Sequence, residues 1–154
     1  MSDFWKLFDA ATIQVELAGS TKDEVINELL DLTVAAGKID DAARATLYDA
    51  LVEREKIGST GIGAGVAIPH VKNDVVSETI TAVGVSKGPI DYDAVDGEPC
   101  NLFFLLASPV AQAENHLKIL RWLSTLVRNA DFSRFLRTSK NAKDAAGLFK
   151  EFGE

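Results

Sequence analysis

Thiol and metal-ligand chemistry are nearly absent from this chain: one cysteine, Cys100, and two histidines, His70 and His116, are spread over 154 residues. A lone cysteine cannot close an internal disulfide, and with so few histidines beside it a zinc site is not expected. Positive charge is short as well. Sixteen Lys and Arg stand against 23 Asp and Glu, a net charge of −7, which argues against nucleic acid or an anionic membrane surface as partner, since both are bound by dense positive charge. No apolar run approaches the length of a membrane span. The start, Met1-Ser2-Asp3-Phe4-Trp5-Lys6-Leu7-Phe8, lacks the basic, apolar and small-residue segments of a secretory signal. The expectation is a soluble, cytoplasmic protein with no membrane insertion. Internal repeats, low-complexity tracts and linkers are missing too. With 47% hydrophobic and 25% charged residues the composition is that of a globular domain, and residues 1–154 read as a single one that buries roughly two thirds of its unfolded surface.

What the chain does have is a concentration of glycine. Gly58, Gly61, Gly63 and Gly65 fall within eight positions and lead into Val66-Ala67-Ile68, then Pro69 and His70. Glycine permits positive φ and close backbone approach, and proline has no N–H to give a strand ladder. The stretch therefore predicts a tight loop, a short buried strand stopped by Pro69, and His70 delivered at the strand's exit. Two familiar phosphate loops are excluded. The Walker pattern needs Gly-Lys-Ser/Thr where this chain has Gly63-Ala64, and the dinucleotide fingerprint needs a strand before and a helix after, the reverse of the order here.

Around this stretch the chain alternates helix and strand signals. Thr12 to Leu17 alternates apolar and polar like a half-buried strand. Thr21-Lys22-Asp23-Glu24 has the form of a capping box, with Val25, Ile26, Leu29, Leu32 and Ala36 following at helical spacing and Gly37 as a stop. Asp40 caps a second helix to about Glu55, whose inward stripe is Ala43, Leu47, Ala50 and Leu51. Arg54 falls on that stripe in the last turn, where it either neutralises the helix dipole or points into a site formed by the loop that follows. Val71 to Asp74 reads as a turn and Thr79 to Val85 as a strand. Gly88-Pro89 and the acidic Asp91 to Pro99 read as a surface connection. Leu102 to Ala107 is apolar without alternation, so it is expected to be covered on both faces. A helix from about Asn115 to Ala130 carries Leu120, Leu123, Val127 and Ala130 inward, flanked by Ile119 and Leu126, with His116 on the same stripe. Two short helices, Phe132 to Thr138 and Asn141 to Phe149, end the chain.

The run Gly58-Ser59-Thr60-Gly61-Ile62-Gly63 through Ala67-Ile68-Pro69-His70, preceded by Glu53-Arg54-Glu55 and followed by His116-Leu117, resembles the enzyme IIA domain of the bacterial phosphotransferase system. The likeness is to its fructose–mannitol branch, which includes the nitrogen-regulatory members, and it runs over nearly the whole chain. The resemblance implies an α+β fold, a three-layer α/β/α sandwich with a central mixed β-sheet. It implies His70 as the phosphorylated histidine, with His116 and Arg54 as its active-site partners. It also implies the histidine-containing phosphocarrier protein as donor and an enzyme IIB domain as acceptor during sugar uptake. In the nitrogen-regulatory relatives the phosphorylation state instead controls protein partners.

The chemistry is consistent with that role. Imidazole, with an ordinary pKa of about 6.5, is mostly a free base at neutral pH and can attack a phosphoryl group without a separate base. Arg54 and a donor nitrogen of His116 would stabilise the transferring group, and backbone N–H groups at Ser59, Thr60, Gly61 and Gly63 are candidates for an anion nest. No metal or organic cofactor is required by this scheme.

Overall fold

The helices begin where their caps dictate. In the computed structural model, which describes residues 3–154, Thr21 accepts a hydrogen bond from Glu24 N at 3.2 Å to open α1 (Lys22–Ala35). The Glu24 carboxylate reaches back to Ser20 N at 2.9 Å, so the capping box closes one residue earlier than its usual form. Met1 and Ser2, with which the expected domain and its leaderless start begin, lie outside the described residues. α1 buries Val25, Ile26, Leu29, Leu30 and Thr33; Leu32 and Ala36, expected inside, are only half-buried. Thr33 is tolerated in the core because its hydroxyl donates to Leu30 O at 2.6 Å. At the other end Gly37 takes φ +74, with Gly37 N bonded to Val34 O and Lys38 N to Thr33 O at 2.9 Å, a Schellman stop that needs the left-handed residue. Asp40 caps α2 (Asp41–Ile57) by accepting from Ala43 N at 2.8 Å.

The sheet is built on β6 (Cys100–Ser108), every residue of which except Asn101 is buried. The remaining strands are β1 (Ile13–Gln14), β2 (Gly61–Gly63), β3 (Val66–Ala67), β4 (His70–Lys72) and β5 (Ile80–Ile90). The order is β1-β5-β6-β3-β2, with β4 also against β6. β1–β5, β3–β6 and β4–β6 are parallel, while β5–β6 and β2–β3 are antiparallel. It is a mixed, open sheet. Period-two alternation divides β6 between two cores. Phe103, Leu105 and Ala107 pack with α1 and α2. Leu102 and Phe104 pack with the opposite layer, made by α3 (Ala113–Val127), α4 (Ala130–Arg137) and α5 (Ala142–Gly153). The expected α/β/α layering is present, and no helix among the described residues is long and apolar enough to cross a membrane.

Four local expectations are corrected. Pro69 does not end the pairing with β6: Val66 faces Leu102 and Ala67 faces Phe103, and after the break His70 faces Leu106 and Lys72 faces Ser108 in the same register. Pro69 removes one donor, but its carbonyl still accepts from Leu106 N at 3.0 Å. His70 is thus the first residue of a strand, and Val71-Lys72 belong to that strand rather than to a turn. Second, β5 runs on to Ile90, absorbing Gly88-Pro89 in an irregularity between Val85 and Ile90, and the acidic connection is pinned by buried Tyr92 and Ala94. Third, the first strand is cut to Ile13–Gln14, Thr12 falling in a 3₁₀ turn. Fourth, the helix expected to Ala130 ends at Val127, because the Asn129 side chain accepts from Asp131 N and Phe132 N and starts α4. Ala130 is consequently exposed.

Candidate active site

α2, β4 and the first turn of α3 converge on a cleft of about 690 Å³ lined by Arg54, His70, Lys72, Glu114, His116 and Leu117. Arg54, in the last turn of α2, donates from Nη1 to Gly58 O at 2.8 Å. It therefore caps the helix, as the first reading of its position has it, and it also lines the cleft, which is formed by β4 and α3 rather than by the loop that follows. His70 is fixed by the break before it: its Nδ1 lies 2.6 Å from Ile68 O. A carbonyl can only accept, so Nδ1 carries the hydrogen and Nε2 is left with its lone pair. His116 is 4% exposed, and its Nδ1 lies 2.7 Å from Ser108 Oγ. The two imidazole centroids are 5.8 Å apart.

Burial is the main force on both rings. It lowers the His70 pKa; the Ile68 carbonyl works the other way, and the Arg54 and Lys72 charges add to the lowering. His116 is pushed down to about 4, by burial first and then by His70 and Lys72. At neutral pH both rings are therefore neutral bases, and the positive charge in the cleft comes from Arg54 and Lys72. A nucleophilic nitrogen and two cations facing one space suit an incoming dianionic group.

The glycine loop is not part of this cleft. Ser59 Oγ donates to Tyr92 O at 2.9 Å and accepts from Gly61 N at 3.0 Å. Thr60 N donates to Glu55 Oε1 at 3.0 Å, and the Thr60 hydroxyl bonds to Glu55 Oε2. Glu55 in turn pairs with Lys22 at 2.9 Å, and the Lys22 ammonium sits 4.6 Å from the Tyr92 ring centroid. The anion bound by this loop is the protein's own carboxylate. Gly61 is required there by space, since a Cβ would come within 2.8 Å of Ala94. Gly63 is the last residue of β2, beside Asp96.

Two cleft residues, Lys72 and Glu114, went unread in the sequence, as did Ser108, which lies behind the cleft and holds His116. Lys72 had a signal, because it lies two residues from His70 and a strand puts such residues on one face. Ser108 had none short of the β4–β6 register. Cys100 is buried and its thiol is pushed up to about 11, chiefly by burial, which leaves it unreactive.

Residues 6–152 match the family described as "Phosphoenolpyruvate-dependent sugar phosphotransferase system, EIIA 2". The chain belongs to this family. It is 39% identical over 142 residues to a "PTS system fructose-specific EIIA component" of Haloferax volcanii, covering 92% of this chain and 91% of the relative. It is 36% identical over 129 residues to a "Nitrogen regulatory protein" of Pseudomonas aeruginosa, covering 84% and 82%. Among solved structures it resembles the nitrogen regulatory protein IIA-Ntr from Neisseria meningitidis, with a TM-score of 0.86 and 27% identity, covering 96% of this chain and 99% of that one. Fructose-specific and nitrogen-regulatory members, both within the branch named by the sequence resemblance, are thus among the relatives.

Proposed function

We propose that this chain is a phosphohistidine carrier that takes a phosphoryl group on His70 Nε2 from the histidine-containing phosphocarrier protein and passes it to an enzyme IIB domain in sugar uptake. The observation that carries the reading is the free Nε2 lone pair of His70, facing a cleft it shares with Arg54 and His116. As the donor's N–P bond breaks, the Nε2 lone pair forms the new one, and the donor nitrogen keeps the electron pair of the old bond. The Nδ1 hydrogen stays on His70, held by Ile68 O. That retained hydrogen makes the ring a good leaving group when an acceptor attacks from the open side. Arg54 and Lys72 balance the phosphoryl charge and His116 Nε2 binds one of its oxygens. Leu117, which lines the cleft and is 46% exposed, supplies an apolar edge for a docking partner. In this reading residues 1–154 work as one cytoplasmic IIA domain without metal or organic cofactor.

The nitrogen-regulatory relatives support a second reading, in which the same phosphorylation changes the affinity of a protein partner. Labelled phosphate loaded on His70 and mixed with candidate IIB domains separates the two. Rapid onward transfer is expected; no transfer to any IIB domain, together with a partner whose affinity changes on phosphorylation, would leave the regulator.

A further inference from the structure

The Thr79–Ser108–His116 chain of polar groups lies behind the cleft, away from the space where the phosphoryl group would sit. Ser108 ends β6 and is fully buried. Its Oγ is 2.7 Å from His116 Nδ1 and 3.0 Å from Thr79 Oγ1. A buried hydroxyl without partners is costly, and here both of its neighbours are hydrogen-bonding groups. Counting hydrogens leaves two orders: Thr79 gives to Ser108 and Ser108 to His116 Nδ1, or His116 Nδ1–H gives to Ser108, Ser108 to Thr79 and Thr79 to Gln112 Oε1. Each hydroxyl has one to give. The Thr79 hydroxyl has two acceptors in reach, Ser108 Oγ at 3.0 Å and Gln112 Oε1 at 3.4 Å, and the nearer is Ser108. The contact to Gln112 is long for a hydroxyl donor and Gln112 is open to water, so the first order puts both hydroxyl hydrogens on the short contacts, Ser108 giving its own to His116 Nδ1. A neutral imidazole that accepts at Nδ1 carries its hydrogen at Nε2.

We propose that Ser108 and Thr79 are positioning residues that hold His116 in the Nε2–H tautomer, so that a neutral ring presents a hydrogen-bond donor to the phosphoryl group on His70. The proposal rests on the carrier reading for its purpose but not for its geometry. The charged and titratable groups around His116 in the cleft are Arg54 from α2, His70 and Lys72 from β4, and Glu114 from its own helix; β6 meets its Nδ1 with the Ser108 hydroxyl, backed by Thr79 just before β5. A carboxylate in the place of Ser108 would instead draw the hydrogen to Nδ1 and raise the ring's pKa. With a hydroxyl relay, the donor at Nε2 is present before the phosphoryl group arrives, and loading needs no proton uptake by His116. The two histidines are then held in opposite tautomers, His70 with its lone pair at Nε2 to attack and His116 with its hydrogen at Nε2 to bind.

The test is imidazole ¹⁵N–¹H correlation spectroscopy on the full chain at neutral pH, without phosphorylation. His116 is expected as Nε2–H and His70 as Nδ1–H. Ser108→Ala should move His116 toward Nδ1–H and slow phosphoryl transfer about tenfold, less than the loss of a whole donor because the ring stays in place and only its tautomer shifts. Ser108→Thr should restore both, and Thr79→Val should shift the tautomer part-way. A wild-type His116 found as Nδ1–H overturns the proposal, as does an unmoved tautomer in a folded Ser108→Ala chain. Should Ser108→Ala fail to fold, the wild-type spectrum and Thr79→Val decide. The predicted tautomers in a chain that accepts no phosphoryl group would support the relay and defeat the carrier reading alone.

Discussion

Arg54 and Glu55 are neighbours in the last turn of α2, yet they serve polar centres of opposite character. Glu55 is 7% exposed at its side chain and is met by Lys22, Thr60 N, the Thr60 hydroxyl and, at 3.5 Å, the Tyr92 hydroxyl. Both oxygens of its carboxylate are engaged. Arg54 spends one donor on Gly58 O, and the Nε2 atoms of His70 and His116 have no protein partner among the described hydrogen bonds. Buried polar groups that satisfy one another hold a fold together, whereas groups aimed at a common space and left unpaired are ready for a ligand. The contrast explains why a loop rich in glycine, beside both centres, belongs to the first.

Substitutions should separate the centres by what they damage. Arg54→Gln is expected to slow phosphoryl transfer by roughly tenfold to a thousandfold, about 1.4–4 kcal/mol of transition-state stabilisation, with a denaturation midpoint close to that of the parent chain. An unchanged rate in a folded variant would move Arg54 to the structural side of the comparison. Glu55→Ala should do the reverse. It is expected to cost about 3 kcal/mol of stability in urea unfolding, the low end for breaking a buried pair because Lys22 keeps part of its side chain in water. A folded fraction of that variant should still accept phosphate.

The pH dependence of stability offers a finer test. Folded His116 titrates at about 4, while an unfolded histidine titrates at about 6.5, so between these values the unfolded chain binds more protons. The stabilisation is therefore full above about pH 6.5 and is lost as the pH falls toward 4, by about 3 kcal/mol in all. Urea midpoints of the wild type and His116→Gln measured across this window should converge at the acid end. Parallel curves would mean that His116 is not held neutral. The smallest effect is expected in the β2–β3 turn, where Ala64 is held at φ 57. Ala64→Gly should raise stability by about 0.5–1 kcal/mol by removing the left-handed penalty, net of the added chain entropy.

Local interactions were the legible part of this molecule. Thr21 and Asp40 open their helices, and Gly37 ends one, because a cap involves residues only a few positions apart. Both-face burial of β6 was visible in its unbroken apolar run. What the sequence concealed depends on register: Pro69 looks like a strand's end until β4 is seen to resume beside β6, and only that register sets Lys72 opposite Ser108. The positions of His70, His116 and Arg54 followed from strand end, helix stripe and family resemblance, and the fold brings the three into one cleft. The glycine loop could not be assigned in the same way. Free N–H groups suit a phosphate and a carboxylate equally, and nothing in the spacing shows that Glu55 takes Thr60 N and Ser59 Oγ takes Gly61 N.

The central claim is that His70 accepts a phosphoryl group at Nε2, and the most direct measurement is ³¹P–¹⁵N correlation on the chain after incubation with the phosphorylated carrier protein. One acid-labile phosphoryl group coupled to Nε2 of His70, absent from His70→Ala, is the expected result. Phosphorus bonded to Nδ1, or label persisting in a folded His70→Ala chain, would contradict the account.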